Sequence, residues 1–480
     1  MKNHVVIPTY PPSYEYPPSD YRNIHGRPSV TVSPRGLTLG TSEYFNDGAD
    51  FGPDTPGTST CGIQEAVNSL KFTNSGILDG NSSISTDEAS GAVELRPGMY
   101  YLTSQINLYQ GLALKGAGRL STAISLSTTP GSWLADMVAE IVVPANANEC
   151  LIEGLTIIGN RNSAYDPYNI DGIRIIGYNW RTIVRDVEIQ NCQGNGITTT
   201  GSGSSDVCYE PLFDHVSIIG CNAYGMQLNY VADDVILESN IENCSGTGIY
   251  YSGGDGNWVK LHVFANNLGM KIQGAPLHMF APILDANATN GCEIDSISQT
   301  TDAGLITIVA CLSQGNGSAS KGTYSGIYLN GAQNVLILGM DGINKSGNVY
   351  QGYLVTETST ADYNTIIGGN AENLLSSTPV VLFGAHSSAT HIVGWTPQPT
   401  TPGVPSSGAG YQNTLGYPIA VYATGGLVTA VTITKNGETY TVFSSSTAVA
   451  LSAHSYLLLP GDIITFTYTT APSWVFVPEN

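Results

Sequence analysis

The sequence predicts an all-β protein wound as a parallel solenoid, and three observations carry that prediction. The first is a repeat. Between Asn169 and Val355 the segments NIDGIRIIG, GNGITTTG, AYGMQLNY, GTGIYYSG, NLGMKIQG, TNGCEIDS, YSGIYLNG and YQGYLVTE each place a short strand after a glycine. The second is alternation: aligned on Gly172, Gly196, Gly225, Gly248, Gly269, Gly291, Gly326 and Gly352, the first and third following residues are mostly apolar and the second and fourth mostly polar. Ile173/Ile175, Met226/Leu228 and Tyr353/Val355 illustrate the first set, and Gln227/Asn229, Lys271/Gln273 and Glu293/Asp295 the second. Period two marks a strand with one buried face, and its return every ~20 to 30 residues marks a coil that stacks on itself. The third is that NCQGNGI, GCNAYGM and NCSGTGI put Cys192, Cys221 and Cys244 at one position of successive repeats, which stacking would bring into a ladder with steps of about 4.8 Å. Such cysteines read as small, reduced packing residues.

Composition narrows the function classes. Charged residues are 11% of the 480, against about 25% in ordinary soluble proteins, while Gly (55) and Tyr (27) are abundant. A surface built on Ser, Thr, Asn and Tyr suits a particle that meets sugars. The net charge of -21 disfavours a phosphate-tracking groove, so no nucleic-acid partner is expected, and it argues mildly against a strongly anionic substrate. No apolar run reaches the ~20 residues of a membrane span, so no membrane insertion is expected. The eight cysteines include no CxxC and no histidine at zinc-ligand spacing, so they are expected to be mostly free and no metal is expected.

In chain order, residues 1–40 read as an extended arm in which Pro8, Pro11, Pro12, Pro17 and Pro18 interleave with Tyr10, Tyr14, Tyr16 and Tyr21. A polyproline-like path has no core of its own, and it serves either as an attachment arm along a partner or as a free tail. This amino terminus has no sustained apolar core and no small-residue cleavage site, so it does not read as a signal peptide. Residues 41–130 form an N-terminal cap and first rungs. There Thr60 is placed to cap a short helix with Ile63, Val67 and Leu70 on one face, covering the unpaired backbone of the first rung. Alternation then resumes at Val93/Leu95, Tyr100/Leu102, Ile106/Leu108 and Leu112/Leu114. The cluster Gly116-Ala117-Gly118 lacks the Gly-Lys-Ser/Thr ending of a phosphate loop and reads as a turn, so no cofactor is expected.

The combination of NDGAD, the helix GIQEAVNSL, VELRPGMYYLTSQINLYQGLALKGAG and the following glycine-led rungs resembles the pectate-lyase-like right-handed parallel β-helix superfamily, of the virus tailspike or receptor-binding spike type. The likeness spans roughly residues 44–394 and implies a right-handed coil. It does not settle activity, because the superfamily carries lyases, hydrolases, isomerases and pure binders on one scaffold. The acidic run before the helix, GPDTPGTSTCG, is looser than the family's compact pattern. The β-helix proper is assigned to 131–394, a Pro/Gly/Ser linker to 395–415, and a small C-terminal β-sandwich of about seven short strands to 416–480. Trp474 reads as a core aromatic or a sugar platform.

Two constellations could carry chemistry. Ten residues before successive anchoring glycines stand Asp186, His215 and Glu238, with Arg185 and Asp214 alongside, close enough once stacked for acid/base work on a glycosidic bond. On the outward strand face Glu293 and Asp295 are two residues apart, about 6 to 7 Å, with Lys271 one rung earlier. Lys271 or Arg174 would serve as the base of a lyase. Arg174, Gln227, Tyr250, Tyr328 and Trp180 are candidate substrate-binding residues, joined by the loop or exposed aromatics Tyr224, Tyr230 and Trp258. The insertion from Asn160 to Asn169 is placed to overhang this wall.

Three functions stay open. One is a virion tailspike or fibre-like protein, located at the virion surface, that attaches through residues 1–35 to other virion proteins and recognises or depolymerises a host surface polysaccharide. The second is a secreted polysaccharide lyase or glycoside hydrolase, and the third a structural surface protein without a ligand. A Tyr-rich outer face is best hidden in a threefold bundle, which predicts a homotrimer.

Overall fold

A computed structural model describes residues 29–34, 49–73, 87–127, 131–159, 161, 168–201, 206–295, 306–343, 350–358, 360, 361, 363–372, 381, 382, 390–393, 402–413, 418–435 and 437–478. Within them the chain is a parallel β-helix followed by a small antiparallel module. Residues 1–28 of the expected arm lie outside the described residues, whereas Ser29–Val32 pairs parallel with Ala92 to Leu95 as a strand of the coil.

Among the described residues most turns of the coil contribute three short strands. One sheet of the coil runs from Ile106–Asn107 through Ala139–Val143, Asp171–Ile176, Ile197–Thr200, Met226–Ala232, Thr247–Gly254, Leu268–Ile272, Cys292–Asp295, Ser325–Asn330 and Tyr353–Glu357 to Val381–Leu382. We call it sheet I. Sheet II stacks strands such as Leu212–Asp214, Val235–Leu237 and Gly256–Val259, and sheet III strands such as Ser217–Ile219, Asn240–Glu242 and His262–Phe264. Sheets II and III become continuous where Val335–Ile343 runs through both.

The corner between sheets II and III is only two residues long in successive rungs, and its first residue takes the left-handed conformation: Asp186, His215, Glu238, Lys260, Ala281 and Ala310 all have φ between 44° and 54°. Such a residue reverses the pleat within one step, which lets two sheets meet at a sharp edge. Longer connections reach the entry side of sheet I instead, as at 131–138 and 315–324.

The interior follows the alternation read from sequence. Ile173, Ile175, Met226, Leu228, Ile249, Tyr251, Met270, Ile272, Cys292, Ile294, Ile327 and Leu329 are all fully buried in one core. Anchoring glycines are required by close approach rather than by dihedral angle: a Cβ on Gly196 would lie 2.7 Å from the Gly225 carbonyl oxygen and 2.6 Å from Ile218 Cγ2. The last repeat departs from the expected alignment. Ile327 pairs with Val355, so the position of Gly326 passes to Leu354 rather than to Gly352. Leu354 fills the space that Gly342 leaves open beneath it.

Cys192, Cys221 and Cys244 stack as expected, and the column continues in a different chemistry as Asn266, Asn287 and Asn316. Asn266 Oδ1 accepts from the Cys244 amide at 2.9 Å, Asn287 Oδ1 from the Asn266 amide at 3.1 Å, and Asn316 Oδ1 from the Asn287 amide at 3.1 Å. Their side-chain amides donate to the carbonyls of Ile241, Val263 and Leu284. The eight cysteines are free thiols.

The first rung is closed by the helix Ile63–Ser69, whose Ile63, Ala66 and Val67 are buried in the main core. It begins three residues after the expected cap, with Gly62 at the cap position, yet Thr60 Oγ1 accepts from the Gln64 amide at 2.9 Å. Gln64 in turn pairs with the backbone of Asn107, accepting its N–H at 2.7 Å and donating to its carbonyl at 3.2 Å. One side chain thus replaces the missing neighbour strand.

Among its described residues the C-terminal module has five strands rather than seven short ones, because Ile419–Lys435 and Glu438–Leu458 each run the whole length of the module. Ile419–Lys435 pairs with Ser473–Pro478 over its first part and with Ile463–Thr470 over its second, and at the change of partner Gly425 and Gly426 have φ of 72° and 69°. Bending there lets the halves face each other: Phe466 of one packs on Trp474 and Tyr456 of the other at 5.7 and 6.0 Å. Trp474 is 6% exposed and donates to the Pro402 carbonyl, so it is a core residue. Part of the expected linker packs here too, with Gly410–Gln412 pairing as a strand and Val404 against the module's core. Among the described residues no helix is long and apolar enough to cross a membrane.

Candidate functional site on sheet I

Parallel pairing in register turns an outward strand position into a column. Arg174, Thr198, Gln227, Tyr250, Lys271, Glu293, Tyr328 and Thr356 are successive register partners on sheet I. Four of the five expected binding residues and two of the second catalytic set therefore share one line, about 30 Å from Arg174 to Tyr328. The fifth, Trp180, lies beyond the exit edge of this sheet and is 39% exposed. Trp258 is not a surface aromatic. It is buried and donates from Nε1 to Asp234 at 2.7 Å, while Tyr251 donates its hydroxyl to the same carboxylate at 3.0 Å. Burial raises Asp234 to about 6 against those two hydrogen bonds.

Lys271 Nζ bridges both acidic residues, at 3.3 Å from Glu293 Oε1 and 3.2 Å from Asp295 Oδ2. The bridged oxygens thus lie no more than two contact lengths apart, below the upper end of the ~5 to 9 Å separation of glycosidase carboxylates. Asp295 also accepts from Gln273 Nε2 at 2.9 Å and from Asn330 Nδ2 at 2.8 Å. Gln273 accepts the Tyr250 hydroxyl at 2.6 Å. Partial burial acts to lower Lys271, but the adjoining Glu293 and Asp295 charges outweigh it and hold the ammonium above its ordinary range. Burial, followed by the same two carboxylates, raises the Tyr328 phenol.

The other end of the column is organised by residues at or just before the starts of strands. Arg174 is held by the buried carboxylate of Asp171, with Nη2 and Nε at 2.6 and 2.9 Å from Oδ2. Burial raises Asp171 and the guanidinium counters it. Asn195 donates to Thr198 Oγ1 and Gln227 Oε1, both at 2.9 Å, and accepts the Tyr224 amide. The Tyr224 ring stands 5.8 Å from that of Tyr250. Strand alternation points to Gln273 and Asn330, but Asp171 is the first residue of its strand and Asn195 precedes its own, where period two carries no signal. The expected overhang, Asn160 to Asn169, falls largely outside the described residues; Arg161 at its start donates to the Gly220 carbonyl at 2.9 Å and to Ser245 Oγ at 2.7 Å.

Asp186, His215 and Glu238 also stack as expected, at the left-handed corner between sheets II and III. There they join a ladder of opposite charges. Lys115 meets Glu153 at 3.5 Å, Glu153 meets Arg185 at 3.9 Å, and Arg185 meets Asp214 at 3.1 Å. His215 contacts Asp214 through Nδ1 at 2.6 Å and Glu238 through Nε2 at 3.1 Å, and Lys260 closes the series on Glu238 at 2.8 Å. The corner is convex and exposed. Among the described residues no group of three or more His, Cys, Asp or Glu side chains is placed to hold a metal ion.

Fold and face together define a parallel β-helix with one outward sheet lined by Tyr, Gln, Asn and a bridged carboxylate pair. Among solved structures the chain is similar to the Azotobacter vinelandii mannuronan C-5 epimerase AlgE4 A-module (18% identity, 64% of this chain and 87% of that chain, TM-score 0.50). It is likewise similar to the AlgE6 A-module of the same organism (17%, 70% and 95%, TM-score 0.51) and to the enzymatically active domain of bacteriophage CBA120 tailspike protein 2 (13%, 88% and 68%, TM-score 0.52). At these identities the likeness establishes the fold. No protein-family model and no curated protein matches the chain.

Proposed function

We propose that the protein is a virion-surface, tailspike-like protein that binds a host cell-surface polysaccharide along sheet I and hydrolyses it at Glu293 and Asp295. The observation that supports this most is the single column holding Arg174, Gln227, Tyr250, Lys271, Glu293 and Tyr328. Tyr rings pack on the apolar C–H face of sugars while Gln and Asn read hydroxyls. In this reading Asp295, gripped by Lys271, Gln273 and Asn330, is the carboxylate that activates water or attacks, and Glu293 is the second carboxyl of the pair. Lys271, held as an ammonium, and Arg174, committed to Asp171, are poorly suited to act as the base of a lyase. The Asp186/His215/Glu238 corner is assigned to stability. Attachment through residues 1–35 and assembly as a homotrimer belong to the same proposal.

The test is to incubate the purified protein with envelope polysaccharides of candidate hosts, following chain length by size exclusion and new double bonds by ultraviolet absorbance. Shortening without absorbance is expected, and Glu293→Gln or Asp295→Asn should slow it about 10²- to 10⁴-fold. The same substitutions should leave the unfolding midpoint close to wild type. Shortening with absorbance would replace hydrolysis by lyase chemistry, and binding without shortening would make the protein a receptor-binding spike alone.

A further inference from the structure

Beyond the exit edge of sheet I, short strands extend three of its rungs. Asn179–Trp180 pairs with Cys208–Tyr209, which pairs with Val231 and Ala232, and Ala232 pairs with Gly254. The inward members Asn179, Cys208 and Val231 are buried. The outward members therefore form a second column: Trp180, Tyr209, Ala232, Gly254. Its first two rings stack face to face at 4.6 Å. Its next two positions carry almost no side chain, so the aromatic stack ends in a step, and among the described residues no ring packs on the far face of Tyr209.

The rim of this step is acidic. Immediately after the outward column come the left-handed residues Glu210, Asp233 and Asp255, one per rung. Glu210 is neutralised by Arg181 at 2.7 Å. Asp233 and Asp255, both exposed beside the open positions, have no cation within ion-pair distance among the described residues. An open aromatic face, a floor without side chains and two uncommitted carboxylates form a place that accepts hydroxyl hydrogens and repels anions.

We propose that this step is a subsite for a neutral pyranose unit, stacked on Tyr209 over Ala232 and Gly254 with hydroxyls donating to Asp233 and Asp255. One rung spacing, about 4.8 Å, is the depth of a stacked ring, so the sugar takes the place that a third aromatic side chain would have held. The inference rests on the glycan reading of sheet I and narrows it: the chain that lies along the central column carries a uronate-free unit at its exit side.

The experiment is calorimetric titration of neutral gluco-, galacto- and manno-hexasaccharides and of hexagalacturonate into wild-type protein and into Tyr209→Ala, Gly254→Trp and Tyr250→Ala. Gly254 has room for a side chain, its nearest neighbour to an added Cβ being the Ala275 carbonyl oxygen at 3.4 Å, and near-ultraviolet dichroism checks each fold. The expected result is that a neutral hexasaccharide binds and that Tyr209→Ala and Gly254→Trp each weaken it at least tenfold. Unchanged affinity in both of those variants, with loss in Tyr250→Ala, would overturn the subsite and leave the glycan reading intact. Binding of hexagalacturonate alone would also overturn it. Binding of no member would remove subsite and glycan reading together.

Discussion

His215 stands between two carboxylates on an exposed corner, and its chemistry is set by that placement. The hydrogen bond to Asp214 raises its pKa, burial opposes slightly, and the charges of Asp214, Glu238 and Asp186 raise it further. A histidine whose folded pKa lies above the unfolded value, about 6.5, binds its proton more tightly in the folded state. The stability it contributes is fully present below pH 6.5 and is lost as pH rises through the folded pKa. The unfolding midpoint of wild type should therefore exceed that of His215→Gln most at pH 6 and converge with it at pH 9, and added salt should shrink the difference because the site is exposed. Thermal melts across that pH range check this, with the His215 ring titrated by NMR. Asp234 gives the opposite kind of residue-level prediction. Asp234→Ala strands the buried Trp258 N–H and Tyr251 hydroxyl, a loss of about 2 to 4 kcal/mol, readable by denaturant unfolding.

At the scale of the element, the asparagine column shows what sequence could and could not disclose. The cysteines at 192, 221 and 244 advertised a ladder because they share a residue type, whereas Asn266, Asn287 and Asn316 occupy the same column under another type. Only the register joins them. Asn287→Ala should cost about 2 to 3 kcal/mol, since the Asn266 amide and the Val263 carbonyl both lose their partner in a buried corner, and hydrogen exchange at Asn266 should quicken with it. The strands of sheet I were legible because each buries one face, which writes period two into the chain. Lys271, Glu293, Tyr328 and their companions were legible for the same reason. Asp171 and Asn195 were not, since a residue that opens a strand or lies in the turn before it is chosen by what its side chain reaches rather than by its spacing. The C-terminal strands were read as too many because Gly425 and Gly426 look like a turn between two strands, yet they bend one.

At the scale of the whole molecule, the coil and the C-terminal module have separate cores that share no residue. Trp474→Ala should therefore destabilise the module by about 3 to 5 kcal/mol while the coil's unfolding is untouched. Calorimetry should show one transition moving and another in place. Within the coil the organisation is one-dimensional, because each rung is bonded to the one before and the one after. The N-terminal end is closed by Gln64 of the helix acting as a surrogate strand. That closure has a mechanical side. Tension applied across the ends of the chain loads the terminal rung first, and its bonds must break before the next rung bears any force. The coil should pay out as a sawtooth of single-rung ruptures of about 20 to 30 residues each, starting from the end opposite the helix, while the rungs that carry Lys271, Glu293 and Asp295 are still wound.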